Sequence, residues 1–259
     1  MLQQIRLLLT AVQFFTRLPM PAWVGHSPAQ LDQSARYFPA IGILVGACCA
    51  VVLWLATLAL PPTLAVALSM LAGIMLTGAF HEDGLSDFAD GMGGGYTREK
   101  ILAIMKDSRA GSYGVIALVL ALLLKHQSLL ALCNAHPLTV IAAALIAAHT
   151  VSRLLAVSIM FTQRYVREGD EARAKPAAQS LSRSSFGIAL LTGAASLVLL
   201  WAAGVGAGKL ILALGCAVLL RAYLARLMRK SIGGYTGDCL GAVQQITEAG
   251  FYLGLLLPW

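Results

Sequence analysis

Long apolar stretches separated by short polar ones dominate the hydropathy pattern of this 259-residue chain. A helix needs about 20 mainly apolar residues to cross a bilayer. Six stretches approach or exceed that length, namely residues 38–60, 63–80, 113–132, 137–160, 186–207 and 209–228. Lys125 and His126 interrupt the third stretch, so the hydropathy pattern does not define where that helix ends. Residues 239–259 are predicted either to span or to re-enter the membrane. The pattern predicts an all-α, polytopic membrane helix bundle with about six to seven spans, as one integral membrane domain over residues 1–259.

Residues 1–19 carry a different, periodic pattern. Leu2, Ile5 and Leu8 recur at helical spacing, and glutamine and arginine side chains take the other side. This arrangement is typical of an amphipathic helix that lies in the membrane interface. The segment also lacks the uninterrupted apolar stretch and the small-residue cleavage site of a secretory signal.

The amino-acid composition supports a membrane location. Hydrophobic residues make up 58% of the chain and charged residues only 12%, about half the charged share that is usual in soluble domains. Because so few charges cannot cover a soluble surface, the lipid bilayer is the expected partner of the apolar surface. The net charge of +7 forms no continuous basic patch, and no nucleic-acid partner is predicted.

Basic residues concentrate on one side of the predicted bundle. They lie in the N-terminal segment, in the connections after the second and fourth stretches, and at the end of the sixth stretch, whereas the opposite connections hold only Lys209. Cytoplasmic loops carry an excess of Lys and Arg. The N-terminus and both long polar segments are therefore predicted to be cytoplasmic, on a multi-pass protein of the cytoplasmic (inner) membrane.

The candidate chemistry concentrates in the polar segment of residues 81–112, predicted to be a cytoplasmic connection. Asp83, Asp87 and Asp90 stand there at i, i+4 and i+7, which places them on one face of a helix. Carboxylates this close repel each other unless a cation lies among them, and their oxygens suit magnesium, calcium or manganese. We therefore predict a metal site formed by these three aspartates, with the neighbouring Glu82 as a further candidate ligand.

A solvated acidic helix start is the alternative explanation of this cluster, because acidic residues favour the first turn of a helix. Such a face has no need of glycine, whereas positions 84, 91 and 93–95 are all glycine. Glycine lets the backbone approach a ligand closely, which favours a binding site.

Basic side chains follow the acidic cluster. Arg98, Lys106 and Arg109 place positive charge close to the acidic cluster in the sequence. A metal ion together with such cations is the usual combination that binds phosphate esters and diphosphates in proteins. For Arg98 the general excess of positive charge in cytoplasmic loops is a sufficient alternative explanation.

Ionisable residues also lie inside apolar stretches, where they are costly and often functional. His149 and Arg153 stand one turn apart, Arg221 lies in the sixth stretch and Glu248 in the last. The sequence leaves open whether His149 and Arg153 have a functional role, pair structurally with Glu248 or contact a lipid headgroup. Polar residues on the fourth and sixth stretches would also suit the interface of a homo-oligomer.

Five short motifs are spread over nearly the whole chain: FTRLP at 15–19, FPAIG at 38–42, HEDGLSDFADG at 81–91, IMKDSRAG at 104–111 and GDCLGA at 237–242. In this combination they resemble the cobalamin synthase family, also called the adenosylcobinamide-GDP ribazoletransferases. The family usually has Leu-Ala-Asp where this chain has Leu85-Ser86-Asp87, which is a mild departure.

The resemblance implies a membrane-embedded, magnesium-dependent phosphotransferase. In the implied reaction, the ribose 3′-hydroxyl of alpha-ribazole, or of its 5′-phosphate, attacks the corrinoid-linked phosphate of adenosylcobinamide-GDP. GMP leaves, and adenosylcobalamin or its 5′-phosphate forms, which completes the nucleotide loop of cobalamin. Phosphoryl transfer asks the protein mainly for positioning and for neutralisation of charge.

Roles for individual residues follow by hypothesis from this reaction. The three aspartates bind one or two Mg²⁺ ions, Lys106 and Arg109 take further phosphate charge, and His81 or a carboxylate accepts the proton of the attacking hydroxyl. Asp238 joins the site on the resemblance and on topology alone. The other predicted substrate-binding residues are Gly84, Gly91, Arg98, Asp107, Ser108 and Gly111.

Two other functions compete with this one. The run Asp87-Phe-Ala-Asp-Gly91 matches the opening of the CDP-alcohol phosphatidyltransferase motif, but the Ala-Arg pair and the later paired acids of that motif are missing. An ion-coupled transporter would place its acids near the bilayer midplane and would fit a repeated half. Six of the twelve acids instead lie between residues 82 and 107, in the predicted cytoplasmic connection, and the sequence shows no repeat.

Overall fold

The computed structural model describes residues 2–107, 109–167 and 181–258. Within these ranges the regular structure is helical, apart from one isolated bridge between Tyr165 and Tyr235. Two short 3-10 turns, Ala22–Val24 and Ala35–Tyr37, precede the first long helix. The α-helices are α1 (Leu2–Phe15), α2 (Pro28–Ser34), α3 (Phe38–Thr57), α4 (Pro62–Thr77), α5 (Phe80–Gly94), α6 (Arg98–Lys106), α7 (Ser112–Ala135), α8 (Leu138–Thr162), α9 (Arg183–Ala202), α10 (Ala207–Ile232) and α11 (Gly237–Leu256).

The length and apolarity of these helices confirm the predicted polytopic membrane bundle. In the described part of the chain, five helical segments are long and apolar enough to cross a membrane: Pro28–Thr57, which ends with α3, and helices α7, α8, α9 and α10. Helices α4 and α5 add a sixth only if this pair, bent by 87°, forms one broken span. The third predicted stretch is a single helix that continues through Lys125 to Ala135.

Helix α4 ends at a sharp reversal of the backbone. Gly78 and Ala79 both adopt the left-handed conformation, with φ of 64° and 58°. Glycine takes this conformation freely, whereas it costs an alanine roughly 1–2 kcal/mol. The chain enters α5 at once and almost at a right angle to α4. The second predicted stretch therefore ends at Thr77, before its predicted end at Phe80.

The acidic segment begins as a packed helix, α5, and its predicted cytoplasmic location stays a prediction. Nine of the 15 residues of α5 are buried, among them Glu82, Asp87 and Asp90. Helix α5 packs against α6, α7 and, most extensively, α11. Neighbouring helices thus supply the shielding that the hydropathy of residues 81–94 does not predict.

Helices α8 and α11 form the centre of the bundle. The apolar window of α8 is 83% buried, and 15 of the 20 residues of α11 are buried. Helix α11 contacts α5, α7, α8 and α10. It is continuous and, at 1.5 Å per residue, about 30 Å long, but it is not among the segments apolar enough to span alone. Residues 237–256 are therefore a polar central helix that other helices surround.

Two glycines let α3 pack directly on α8. A Cβ atom added at Gly42 would lie 2.6 Å from the Cα of Thr150, and one added at Gly46 would lie 2.6 Å from the Cα of Ile146. Small residues four positions apart are common where membrane helices cross closely. This contact holds α8 in the centre of the bundle, where it can line the site described below.

We expect Gly46→Ala to lower the free energy of unfolding by about 1–3 kcal/mol, because the added methyl group would force α3 away from α8. Thermal unfolding in detergent, followed by circular dichroism, measures the change. Gly215→Ala in α10 is the matched control, since a Cβ atom there meets nothing within 4 Å. Equal melting temperatures for the two variants would contradict the close crossing.

Candidate active site

A cavity of about 310 Å³ lies between α1, α3, α5, α8 and α11. Its wall is mostly apolar with a few polar groups, which is typical of a site for a small molecule. The aromatic lining consists of Phe14, Phe15, Phe38 and Phe80, and the polar lining of His81, Asp83, Arg153, Asp238 and Gln244. The cavity therefore brings the start of the acidic motif together with the start of the C-terminal motif.

Close packing of α5 on α11 joins these two motifs. A Cβ atom at Gly84 would lie 3.1 Å from the carbonyl oxygen of Asp238 and 3.2 Å from the Cα of Gly241. Because neither helix has a side chain at this crossing, the backbones approach closely. Gly84, a predicted substrate-binding residue, lines the cavity and also permits this contact.

His81 is held against the cavity wall by aromatic packing. Its ring stacks on that of Phe15, with the centroids 5.4 Å apart and the planes 5° from parallel. Only 4% of the residue is exposed. This position is compatible with its predicted role as a proton acceptor, which stays a prediction.

Asp238 forms a buried ion pair at the cavity. The Nη2 of Arg167 donates to its Oδ2 at 2.6 Å, and the hydroxyl of Thr236 donates to the same oxygen at 3.3 Å. Arg167 also donates to the carbonyl oxygen of Met105 at 3.4 Å. Arg167 therefore links α11 to the end of α6, and it holds the Asp238 carboxylate in place.

The three aspartates of α5 have different surroundings. Asp83 is exposed and lines the cavity, whereas Asp87 and Asp90 are buried. Asp90 accepts backbone N–H bonds from Gly111 at 2.7 Å and from Gly114 at 2.9 Å. Gly111, predicted to bind substrate, is thus a hydrogen-bond donor to Asp90, and the two bonds fix the entry into α7.

The predicted cage of three aspartates is not assembled. Among the described residues, no three His, Cys, Asp or Glu side chains are grouped so that they could hold a metal ion. Asp83 and Asp90 are seven residues apart, about 10 Å along a helix axis, and the backbone of α7 holds Asp90. Glu82, the fourth candidate ligand, accepts a bond from the Nε2 of Gln245 at 2.9 Å and is buried. The individual ligand roles stay predictions.

The basic residues predicted to bind phosphate do not line the cavity. Arg109 is exposed and pairs with Asp107 at 2.6 Å, and its guanidinium lowers the pKa of the Asp107 carboxyl to about 2. Arg98 donates from Nε to the carbonyl oxygen of Ile232 at 3.1 Å, which ties α6 to the end of α10. Lys106 is exposed at the end of α6.

Two further residues predicted to bind substrate are Gly91 and Ser108. A Cβ atom at Gly91 would lie 2.5 Å from the Cγ of Met105, so this glycine lets α6 pack on α5. Gly91 does not line the cavity. Ser108 lies outside the described residues.

A buried charge cluster lies beside the cavity and is centred on Glu248. Its Oε1 pairs with the Nζ of Lys125 at 2.6 Å, and its Oε2 lies 3.2 Å from the Nδ1 of His149. Gln244 donates from Nε2 to Oε2 at 2.5 Å, and Arg153 donates from Nη1 to the carbonyl oxygen of His149 at 3.0 Å. Of the alternatives left open by the sequence, the pairing of His149 with Glu248 is confirmed.

The polar residues on α8 and α10 are used within the chain. Arg221 donates from Nε to the hydroxyl of Ser158 at 2.9 Å and from Nη2 to that of Thr162 at 2.6 Å. His149 and Arg153 belong to the buried cluster. The predicted use of these residues in a homo-oligomer interface stays a prediction.

The match to a protein family decides between the competing functions. A family model described as cobalamin-5-phosphate synthase matches residues 7–256. The chain belongs to this family. The match covers most of α1 and all of the other four helices that form the cavity, and it removes the basis for the phosphatidyltransferase and transporter alternatives.

Similar proteins agree with this cobalamin-5-phosphate synthase assignment. The adenosylcobinamide-GDP ribazoletransferase of Shewanella frigidimarina is 48% identical over 255 residues, which are 98% of this chain and 95% of the relative. The adenosylcobinamide-GDP ribazoletransferase of Shewanella amazonensis is 47% identical over 257 residues, which are 99% of this chain and 97% of the relative. No solved structure matches the chain.

Several residues of the site were not selected from the sequence. Arg167 and Phe14 reach the site from segments distant from the acidic motif, and no local pattern marks them. Phe15 and Phe38 open the motifs at 15–19 and 38–42, and Phe80 directly precedes the motif at 81–91, but none of the three was predicted as a site residue. Lys125 was noted only as an interruption of an apolar stretch. Its position within such a stretch is the signal that predicts a buried partner, because a charge at that depth needs one.

Proposed function

We propose that this cobalamin-5-phosphate synthase family member joins adenosylcobinamide-GDP and alpha-ribazole, or its 5′-phosphate, with release of GMP. The observation that carries the proposal is the meeting of α5 and α11 at one cavity. These helices hold the two motifs at 81–91 and 237–242, and both motifs contribute carboxylates to the cavity wall, Asp83 and Asp238. Relatives named adenosylcobinamide-GDP ribazoletransferase share nearly the whole chain.

The chemical step forms one P–O bond and breaks another. The ribose 3′-oxygen bonds to the corrinoid-linked phosphorus, the bond from that phosphorus to the GMP oxygen breaks, and the hydroxyl proton passes to a base. His81 and Asp83 are the possible proton acceptors among the described cavity-wall residues that are not held by an ion pair with Arg167, and we infer that one of them accepts the proton. Phe15 keeps the His81 ring in a fixed orientation for this role.

The residues present fit a magnesium ion held by two carboxylates. Mg²⁺ is usually bound by one or two carboxylates together with water and substrate phosphates. Asp83 and Asp87 are one turn apart on the same face of α5, and they are the residues that would hold the ion. When bound, it would neutralise charge on the diphosphate and on the leaving GMP oxygen. Asp90, with both oxygens accepting backbone N–H bonds, keeps the following turn in place.

The location in the membrane completes the proposal. The excess of basic residues on one side supports a multi-pass protein of the inner membrane with its N-terminus and the 81–112 segment on the cytoplasmic side. Nucleotide substrates would then reach the cavity from the cytoplasm. Helix α1, with its apolar residues on one side, would lie at that surface and supplies Phe14 and Phe15 to the cavity.

The test of the proposed function uses the purified protein in detergent with adenosylcobinamide-GDP, alpha-ribazole 5′-phosphate and Mg²⁺. We expect equal amounts of GMP and joined corrinoid, resolved by liquid chromatography, and a loss of both when EDTA replaces Mg²⁺. GMP without joined corrinoid would contradict a transferase. Product formation that EDTA leaves unchanged would contradict the magnesium requirement.

A further inference from the structure

We propose that Arg167 is a positioning residue for the transfer reaction, and that it acts through the carboxylate of Asp238 and not on the substrate itself. Arg167 lies in none of the five sequence motifs. The inference rests on the proposed function and deepens it, because it adds a residue to the site and gives the Asp238 carboxylate a fixed orientation there.

The backbone brings Arg167 to Asp238. Tyr165, after the end of α8, and Tyr235, before the start of α11, form a parallel bridge that two backbone hydrogen bonds of 3.0 Å close. In a parallel pair the two chains continue in the same direction. Arg167 is two positions beyond Tyr165 and Asp238 is three positions beyond Tyr235, so the bridge carries the two side chains towards each other.

Contacts that do not involve the Arg167 side chain anchor this segment. A Cβ atom added at Gly234 would collide with the carbonyl oxygen of Arg164 and would lie 2.6 Å from the Cγ1 of Val166, so glycine permits the close approach. Gln163 donates from Nε2 to the carbonyl oxygen of Ala225 at 2.8 Å, which ties the segment to α10. Removal of the Arg167 side chain should therefore leave the backbone of residues 163–167 in place.

The burial and location of the ion pair favour a role in the reaction. The side chains of Arg167 and Asp238 are only 4% and 8% exposed, and their Nη2 and Oδ2 atoms are 2.6 Å apart. A buried ion pair is weak evidence of a stabilising role, because an apolar pair of similar volume is often at least as stable. Asp238 lines the cavity whereas Arg167 does not. Arg167 therefore orients a carboxylate that faces the substrate.

The same guanidinium also contacts a second motif. Its Nη2 donates to the carbonyl oxygen of Met105 at 3.4 Å, so Arg167 joins the motif at 104–111 to the motif at 237–242. A carboxylate accepts hydrogen bonds and does not donate them, and both substrates carry ribose hydroxyls that can donate. Asp238 is thus suited to accept a hydrogen bond from a substrate hydroxyl, in a direction that Arg167 sets.

The test is a double-mutant cycle in which kcat/KM and the melting temperature are measured on the same purified proteins. The substrates are adenosylcobinamide-GDP and alpha-ribazole 5′-phosphate with Mg²⁺, each varied in turn. Asp238→Asn and Arg167→Met should each lower kcat/KM about tenfold to a hundredfold, the effect of losing a hydrogen bond to a charged group. Each should also lower the melting temperature by roughly 6–20 °C, because the other partner stays buried without its opposite charge.

The variant that carries both changes separates positioning from packing. It has no charge left at the buried pair, so its melting temperature should recover at least in part. Its kcat/KM should stay within about threefold of that of Asp238→Asn, because Arg167 then has no carboxylate to position. If Arg167→Met alone does not fold, Asp238→Asn and the double variant still give this comparison.

Two further variants keep the interpretation specific. Arg167→Lys retains the positive charge, so it should keep a higher kcat/KM than Arg167→Met. Arg164→Met is the matched control, because Arg164 lies on the same segment, is exposed and donates to the carbonyl oxygen of Gly233 at 3.2 Å without lining the cavity. Its kcat/KM should stay within about twofold of the wild-type value.

The outcomes separate this inference from the proposed function. If the wild-type protein forms product but kcat/KM of the double variant recovers together with its melting temperature, the pair is structural and the inference alone is overturned. If the losses of the two single variants multiply in the double variant, Arg167 acts independently of Asp238 and the inference again fails. A folded wild-type protein that forms no product would overturn the proposed function, and with it the inference that rests on it.

Discussion

Replacing Glu248 by glutamine is expected to lower the free energy of unfolding by about 3–5 kcal/mol, the usual cost of breaking a buried ion pair by removing one partner. Glu248 has no exposed surface and pairs with the Nζ of Lys125 at 2.6 Å. Without the carboxylate, the ammonium group stays in the bundle with no opposite charge in contact. Equilibrium unfolding in mixed detergent and SDS micelles measures the change.

A second variant separates the ion pair from simple loss of packing. Lys125→Met in the Glu248→Gln background removes the stranded charge, so it should restore at least part of the lost stability. The control is Glu99→Gln at an exposed position of α6, which should change stability by less than about 0.5 kcal/mol. Equal losses for Glu248→Gln and Glu99→Gln would contradict the buried pairing.

Hydropathy predicts the long helices of this protein because burial in lipid requires length and apolarity, and both are visible in the sequence. Hydropathy does not predict that one helix ends at Thr77 and the next begins at Phe80, because this break depends on the left-handed conformation of Gly78 and Ala79. No side-chain pattern specifies an alanine in that conformation. At α11 hydropathy leaves the prediction open, because most residues of this helix are buried against other helices and their polarity is not exposed to lipid.

The acidic motif predicts the position of the site but not the task of each residue. The helical spacing places Asp83 and Asp90 on the same face, and the structure agrees that both lie on α5. Only the distant segment 111–114 decides that Asp90 accepts backbone N–H bonds while Asp83 stays free to face the cavity. Contacts between residues far apart in the chain determine which carboxylate is available.

Arg153 shows how one side chain can connect the two polar regions. Its Nη1 donates to His149, which pairs with Glu248 in the buried cluster, and its remaining length lies in the cavity wall. The sequence marks Arg153 as costly in a membrane helix, and its hydrogen bond to His149 in the buried cluster offsets part of that cost. The buried cluster thus fixes the geometry of the site as well as the packing of α7, α8 and α11.

Asp83→Asn is expected to lower kcat by about 10²- to 10³-fold, the range found when one group that stabilises charge in a transition state is removed. Asp83 is the carboxylate of α5 that is exposed and lines the cavity, and with Asp87 it would hold the magnesium ion. Because the side chain is exposed, the melting temperature should stay within a few degrees of the wild-type value. Steady-state GMP release at saturating substrates measures the loss.

The magnesium dependence of this variant distinguishes a metal ligand from a proton acceptor. If Asp83 holds the ion, Asp83→Asn should need a higher Mg²⁺ concentration for half-maximal rate, since one of two protein ligands has lost its charge. If Asp83 instead accepts the proton of the attacking hydroxyl, the Mg²⁺ concentration for half-maximal rate should be unchanged. Glu99→Gln removes one exposed carboxylate from the neighbouring α6 and should leave kcat unchanged. A comparable loss of kcat in that control would show that overall negative charge, and not the position of Asp83 in the cavity wall, governs the rate.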